Sequence, residues 1–79
     1  MERENILLCI RGIIVNILED ESLVIVESTA PEDIDDWDSV THIQLVSELE
    51  KAYGIKLTLK EVMSWESIGD LIDVILSKL

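Results

Sequence analysis

Residues 38–54 read DSVTHIQLVSELEKAYG and contain signals for both ends of a helix. Asp38 and Ser39 are residue types that cap helix N-termini, and Gly54 is typical of the left-handed residue that ends a helix. Apolar residues recur between them at every third or fourth position, which predicts an amphipathic helix. The residues expected on its inward face are Val40, Ile43, Val46, Leu49 and Tyr53.

An amphipathic helix needs partners, and the flanking sequence supplies two helices of similar length. The segment Asn5 to Leu18 has isoleucines at offsets of 4, 7, 8 and 11, which predicts a first helix. Ser67 can cap a last helix that runs towards Leu79 with apolar residues at offsets of 3, 4, 7, 8 and 11. The inward residues expected in these two helices are Ile6, Ile10, Ile13, Ile14 and Ile17, then Ile68, Leu71, Ile72, Ile75, Leu76 and Leu79.

Two connections complete the chain. Thr58 and Glu61 have capping-box spacing, which predicts a short third helix over Leu59 to Ser64. The connection from Glu19 to Asp38 is long, and its apolar run Leu23 to Val26 is predicted to be loop because a lone strand has no partner here. We therefore predict one all-α domain over residues 1–79, an irregular four-helix bundle with a short third helix and a long first loop.

The loop ends in residues 32–38, where five of seven residues are acidic, and this spacing superficially suggests calcium ligands. An EF-hand register beginning at Asp33 would place Trp37 at a ligand position and Asp38 at the required glycine. A solvated acidic loop without a metal is the better interpretation of Asp33, Asp35, Asp36 and Asp38.

Composition limits the partners. Seventeen acidic against six basic residues give a formal net charge of −11, which repels nucleic acid and anionic membranes and attracts basic patches on proteins. Cys9 has no second cysteine to pair with, and no apolar stretch reaches the ~18–20 residues that span a bilayer. We expect a cytoplasmic monomer that binds neither nucleic acid nor membrane.

The segment from Asp38 to Glu50 resembles the motif of the acyl carrier protein family, in which Asp-Ser and an aliphatic residue open an amphipathic helix ending in Leu-Glu. The likeness covers most of the chain: it continues through Tyr53-Gly54-Ile55, Glu61-Val62 and Ser67-Ile68-Gly69-Asp70-Leu71, and reaches the first helix more weakly. Trp37 and Trp65 depart from the family, which commonly has smaller residues at both positions.

The resemblance implies that a phosphopantetheinyl transferase attaches 4′-phosphopantetheine from coenzyme A to Ser39. Acyl groups would then travel as thioesters on the arm, and the chain itself would have no catalytic residue. The resemblance also implies that Asp38 helps to position the transferase's magnesium ion, while its structural role would be to cap the helix.

Further roles follow from the same resemblance. A sheltered acyl chain would lie among Val46, Leu49, Leu57, Val62, Trp65 and Leu71. The surface that meets partner enzymes with basic docking patches, the transferase and an acyl ligase or synthase among them, would comprise Trp37, Val40, Thr41, Gln44 and Glu48.

The outward positions of the second helix carry few acids, which favours a specialised biosynthetic carrier for a lipid, polyketide or similar product over the general carrier of fatty acid biosynthesis. Two alternatives stay open at this point. An aminoacyl or peptidyl carrier would share the fold and Ser39 and differ in its loading enzyme. A helical protein-interaction module would use Ser39 only as a cap.

Overall fold

Four helices and one helical turn form the chain in the computed structural model, which describes residues 2–79. They are α1 (Arg3–Leu18), α2 (Ser39–Tyr53), α3 (Leu59–Ser64) and α4 (Ile68–Lys78), with a 3-10 turn at Pro31–Asp33 in the loop between α1 and α2. Residues 2–79 contain no strand. The predicted all-α bundle with a short third helix and a long first loop is confirmed.

The ends of the helices follow from local sequence. Thr58 Oγ1 accepts the Glu61 N–H at 3.1 Å, and the Glu61 carboxylate accepts the Thr58 N–H at 2.8 Å, so the predicted capping box starts α3. Ser67 caps α4 in the same way through Asp70. Gly54 ends α2 with a φ of 63°, the left-handed conformation that glycine adopts without a Cβ clash.

The start of α1 lies two residues before the predicted one. Glu2 precedes the helix without a side-chain cap, and Arg3 makes long-range contacts instead. Its guanidinium pairs with Glu27 of the loop at 2.6 Å and with Asp73 of α4, and donates to the Gly69 carbonyl at 3.2 Å. Arg3 therefore joins three parts of the chain, although exposed ion pairs contribute little each.

Aliphatic side chains from α1, α2, α4 and the loop form the core. The predicted inward faces of α1 and α4 are confirmed, with Ile13, Ile17 and Leu76 half-buried against that core. Leu79 is the exception: it lies beyond the end of α4 and is exposed, so its predicted inward position is wrong. The fully buried residues are Ile6, Ile10, Ile14, Leu45, Leu49, Ile68, Leu71, Ile72 and Ile75.

The predicted inward face of α2 is correct only in its second half. Val46 and Leu49 are buried, but Val40 and Ile43 are 61% and 56% exposed. Thr41 and Leu45 are buried in their place. Apolar residues lie on two sides of α2. The spacing of apolar residues therefore predicted an inward face that is rotated about the helix axis from the face that packs on α1.

The long loop is ordered because it contributes to the core and to α4. Ile25 and Ile34 are buried, and the backbone carbonyls of Glu27 and Thr29 accept the first two N–H groups of α4, each at 2.8 Å. A Cβ on Gly69 would lie 3.2 Å from the Glu27 carbonyl oxygen, so glycine permits this close approach. The predicted loop at Leu23 to Val26 is confirmed.

Candidate functional site

Ser39 is the first residue of α2, and it is exposed. The preceding residue, Asp38, caps the helix: its carboxylate oxygen Oδ1 accepts the Thr41 N–H at 2.8 Å. The Ser39 hydroxyl has no hydrogen-bond partner within residues 2–79. The helix start thus has its cap without Ser39, and the serine hydroxyl is available to an outside reagent.

Asp38 has a second property at this site. The backbone N–H of Thr41 holds the pKa of the Asp38 carboxyl below its ordinary value, since a bonded carboxylate is favoured over the acid. The carboxylate is therefore ionised at neutral pH, next to the serine. The bond to the Thr41 N–H uses Oδ1, and a carboxylate has further lone pairs that can accept from or coordinate another group.

A groove of about 440 Å³ adjoins the serine. This volume falls within the range of about 300–1,000 Å³ for small-molecule sites. Besides Asp38, Ser39 and His42, the residues that border it are apolar: Pro31, Trp37, Ile43 and Met63.

Three rings pack together beside this groove. The His42 imidazole stacks on Trp65 with 4.7 Å between ring centroids and 13° between planes. Trp37 meets both edge-on, at 6.1 Å from His42 and 6.2 Å from Trp65. We call these residues, Trp37, His42 and Trp65, the aromatic cluster. Aromatic pairs in such geometry contribute about 0.5–1.5 kcal/mol beyond their buried area.

A hydrogen bond fixes the aromatic cluster between α2 and α3. His42 Nε2 lies 2.9 Å from the Val62 carbonyl oxygen, and because a carbonyl only accepts, Nε2 carries the proton. The two indole N–H groups are buried and have no acceptor within residues 2–79, and an unpaired buried donor costs about 1–3 kcal/mol. Ring packing must offset that cost.

The residues predicted for a sheltered acyl chain lie inside the bundle. Val46, Leu49, Val62, Trp65 and Leu71 are buried, and Leu57 is half-buried. Leu49, Trp65 and Leu71 are part of the packed core. None of the six borders the groove beside Ser39. Their role with an acyl chain stays a prediction.

The predicted partner surface is partly corrected. Val40, Gln44 and Glu48 are exposed, and Trp37 is half-buried against the core. Thr41 is buried, so its predicted outward position is wrong; it faces the core because α2 is rotated from the predicted register.

Four residues that border the groove were not predicted for the site: Pro31, His42, Ile43 and Met63. The only signal for Ile43 was that apolar residues occupy two sides of α2. Met63 lies on another helix and carries no motif, so only the fold shows that it borders the groove.

The acidic loop does not gather its carboxylates. Within the part of the chain that the structure describes, no three histidine, cysteine or acidic side chains lie close enough to hold a metal ion. The geometry therefore gives no support to a calcium loop at residues 33–38. None of the helices between residues 2 and 79 has the length and apolar character to cross a bilayer.

A helical bundle with an exposed serine at the start of its second helix is the arrangement that the sequence resemblance implied. The family described as "Phosphopantetheine attachment site" matches residues 10–75. The match covers most of the chain, so the chain belongs to this family, that of the acyl carrier proteins.

A solved structure supports the same assignment. The solution NMR structure of a holo acyl carrier protein from Geobacter metallireducens is 36% identical, covers 91% of this chain and 83% of its own, and superposes with a TM-score of 0.81. No curated protein matches the sequence at a significant level.

Membership of the family establishes the kind of protein. The chain is a non-catalytic carrier, and the group it carries is covalently attached 4′-phosphopantetheine. The alternative of a bundle that only binds other proteins is therefore wrong. Proteins of this family interact with phosphopantetheinyl transferases and acyl-processing enzymes. The exposed hydroxyl and the apolar groove beside it fit an arm of this kind.

Proposed function

We propose that Ser39 is the attachment residue and that the chain carries acyl intermediates as thioesters on its phosphopantetheine arm. The observation that carries the proposal is the free, exposed Ser39 hydroxyl at the start of α2, whose cap is supplied by Asp38 instead. A transferase must be able to reach the hydroxyl that it modifies, and the Ser39 hydroxyl is exposed and makes no structural hydrogen bond.

The attachment step needs no activating residue from this chain, because the transferase supplies the base. The Ser39 oxygen bonds to the phosphorus of the phosphopantetheine half of coenzyme A, the P–O bond of the pyrophosphate bridge breaks, and adenosine 3′,5′-bisphosphate leaves. The hydroxyl proton passes to a base on the transferase. Asp38, ionised beside Ser39, is suited to help hold the transferase's magnesium ion, because hard cations prefer carboxylate oxygens.

The exposed surface of α2 indicates which partners the carrier meets. Around Ser39, α2 presents Val40, Ile43 and Gln44 to solvent, with Glu48 one turn further. This surface suits partners that combine apolar contacts with a basic patch, the transferase and an acyl ligase or synthase of a specialised lipid, polyketide or similar pathway. The charge of −11 favours their encounter. We place the carrier in the cytoplasm as a monomer on the arguments from sequence alone.

The attachment residue is tested by mass. Incubation with coenzyme A and a promiscuous phosphopantetheinyl transferase should add one arm to the wild-type protein, and Ser39→Ala should remain at its original mass. Ser64→Ala is the matched control, because Ser64 is also exposed and lies at the end of α3. An arm on Ser39→Ala, or none on the wild type, would refute the proposal.

Acyl and aminoacyl cargo are separated by loading. The holo protein should be incubated with ATP and with acyl and aminoacyl ligases in turn, each with a panel of fatty acids or amino acids. We expect acyl thioesters to form, and hydroxylamine should release them. Loading by amino acids alone would establish the aminoacyl carrier alternative.

A further inference from the structure

We infer that the arm on Ser39 lies in the outer groove against Trp37, Ile43 and Met63, and that its acyl group stays outside the helix core. The inference rests on the proposed attachment at Ser39. It names how the arm is held and which cargo the carrier suits: short or polar acyl groups that need no shelter from water.

The groove is continuous with the attachment residue. Ser39 itself borders it, so the arm enters the groove from its first atoms. The arm begins with a phosphate and a carbon bearing two methyl groups, followed by two amides and a thiol. The methyl groups match the apolar residues that face the groove beyond the serine.

Two exposed apolar side chains border the groove beside Ser39. Ile43 and Met63 are 56% and 71% exposed, on different helices, and both border the same groove. Apolar groups that cluster on a surface beside a functional residue mark a binding site more often than isolated ones do. Methionine also packs well against a neighbouring indole such as Trp37.

The way into the core is occupied. A chain entering between α2 and α3 from Ser39 would meet the aromatic cluster, where His42 of α2 stacks on Trp65 and bonds to the Val62 carbonyl of α3. Trp65 is only 5% exposed and belongs to the packed core. Admitting an alkyl chain would require breaking the stack and the hydrogen bond together, whereas the outer groove requires neither.

The cargo class follows from this arrangement. An arm that lies outside leaves the thioester in contact with solvent and with partner enzymes. A long alkyl chain would then be exposed to water at a cost proportional to its apolar area. A short or polar acyl group has no such cost.

The arm's position is tested by NMR on the intact protein before and after attachment. We expect the Trp37 indole N–H resonance to shift and NOEs to appear between the Trp37 ring and the two methyl groups of the arm, while the Trp65 indole resonance stays in place. No added mass would refute attachment itself. An added arm without Trp37 contacts would refute only this inference.

Surface variants test the groove without disturbing the core. Met63→Ser should remove the NOEs and return the Trp37 resonance towards its apo position. Leu59→Ser is the matched control, because Leu59 is similarly exposed on α3 (76% against 71% for Met63) but does not border the groove. The NOEs between Trp37 and the arm should be retained in this variant. Equal NOEs in both variants would contradict the inference.

A chain-length series tests exclusion from the core. Acetyl and octanoyl thioesters on the holo protein should give the same Tm and leave the resonance of Trp65, which does not border the groove, unchanged. In Trp65→Leu, which opens the passage, octanoyl should raise Tm relative to acetyl. A higher Tm for octanoyl in the wild type, with a shifted Trp65 resonance, would overturn the inference, and this holds even if Trp65→Leu fails to fold.

Discussion

Asp38 and Ser39 are adjacent in the chain but have separate tasks. Asp38 stabilises the start of α2 by accepting the Thr41 N–H, and Ser39 has no structural partner. The sequence predicted that either residue could cap the helix, because both are good capping types. Which one does so depends on where the helix begins, and this determines which side chain is free for chemistry.

Because Asp38 caps the helix and Ser39 does not, substitutions at the two residues should affect stability differently. Ser39→Ala should change the free energy of unfolding by less than about 0.5 kcal/mol, as expected for a surface side chain without partners. Asp38→Ala should lower the urea midpoint, while Asp38→Asn should keep most of the stability because asparagine also caps helices. Urea unfolding followed by circular dichroism measures all three. A Ser39→Ala loss as large as that of Asp38→Ala would mean that the serine is the cap.

At the scale of helices, replacing glycine by alanine should change stability in opposite directions at Gly54 and at Gly12. Gly54 has a φ of 63°, which strains any residue with a Cβ, whereas Gly12 lies inside α1 with open space where a Cβ would be. Gly54→Ala should destabilise the protein by about 1–2 kcal/mol. Gly12→Ala should stabilise it by about 0.5–1 kcal/mol, since alanine is the better helix former. The Tm of each variant, measured by thermal unfolding, tests this. A change of Tm in the same direction for both variants would contradict the left-handed conformation of Gly54 or the helical position of Gly12.

The helices were predictable from sequence because their ends and apolar periods are local signals. Thr58 with Glu61, Ser67 and Gly54 marked three boundaries correctly. The face of α2 was not predictable, because apolar residues lie on two sides of it. Burial of Thr41 in place of Val40 depends on how the helix meets α1, which is tertiary information.

The site was predictable only where it is contiguous in the chain. Asp-Ser at a helix start was visible, and so was its resemblance to carriers. The aromatic cluster combines residues 37, 42 and 65, and the groove adds Met63 from another helix. No spacing rule joins such positions, so only the folded chain brings them together.

At the scale of the whole molecule, an excess of acids coexists with a few specific ion pairs. One of these joins the short α3 to α4: Lys78 Nζ lies 2.7 Å from the Glu61 carboxylate. The side-chain contact with Lys78, then the bond from the Thr58 backbone, hold the pKa of Glu61 below its ordinary value.

The sign of the resulting pH dependence follows from this lowered pKa. Glu61 contributes stability that is fully present above its unfolded pKa of about 4.3 and is lost as pH falls through the lower folded pKa. The wild type should therefore exceed Glu61→Gln in stability at pH 7, and the difference should shrink below about pH 4. Urea unfolding across this pH range measures it. Lys78→Gln should flatten the dependence, and a difference that grows in acid would contradict the assignment.

The carbonyls of Glu27 and Thr29 that receive the first N–H groups of α4 have a kinetic consequence. Amide protons in the first turn of a helix ordinarily exchange with water rapidly, because no preceding turn protects them. Here the Ile68 and Gly69 amides are held by the long loop, so their deuterium uptake is governed by how often that loop detaches. The exchange rates of these two amide protons therefore report how often the loop that leads to Ser39 opens.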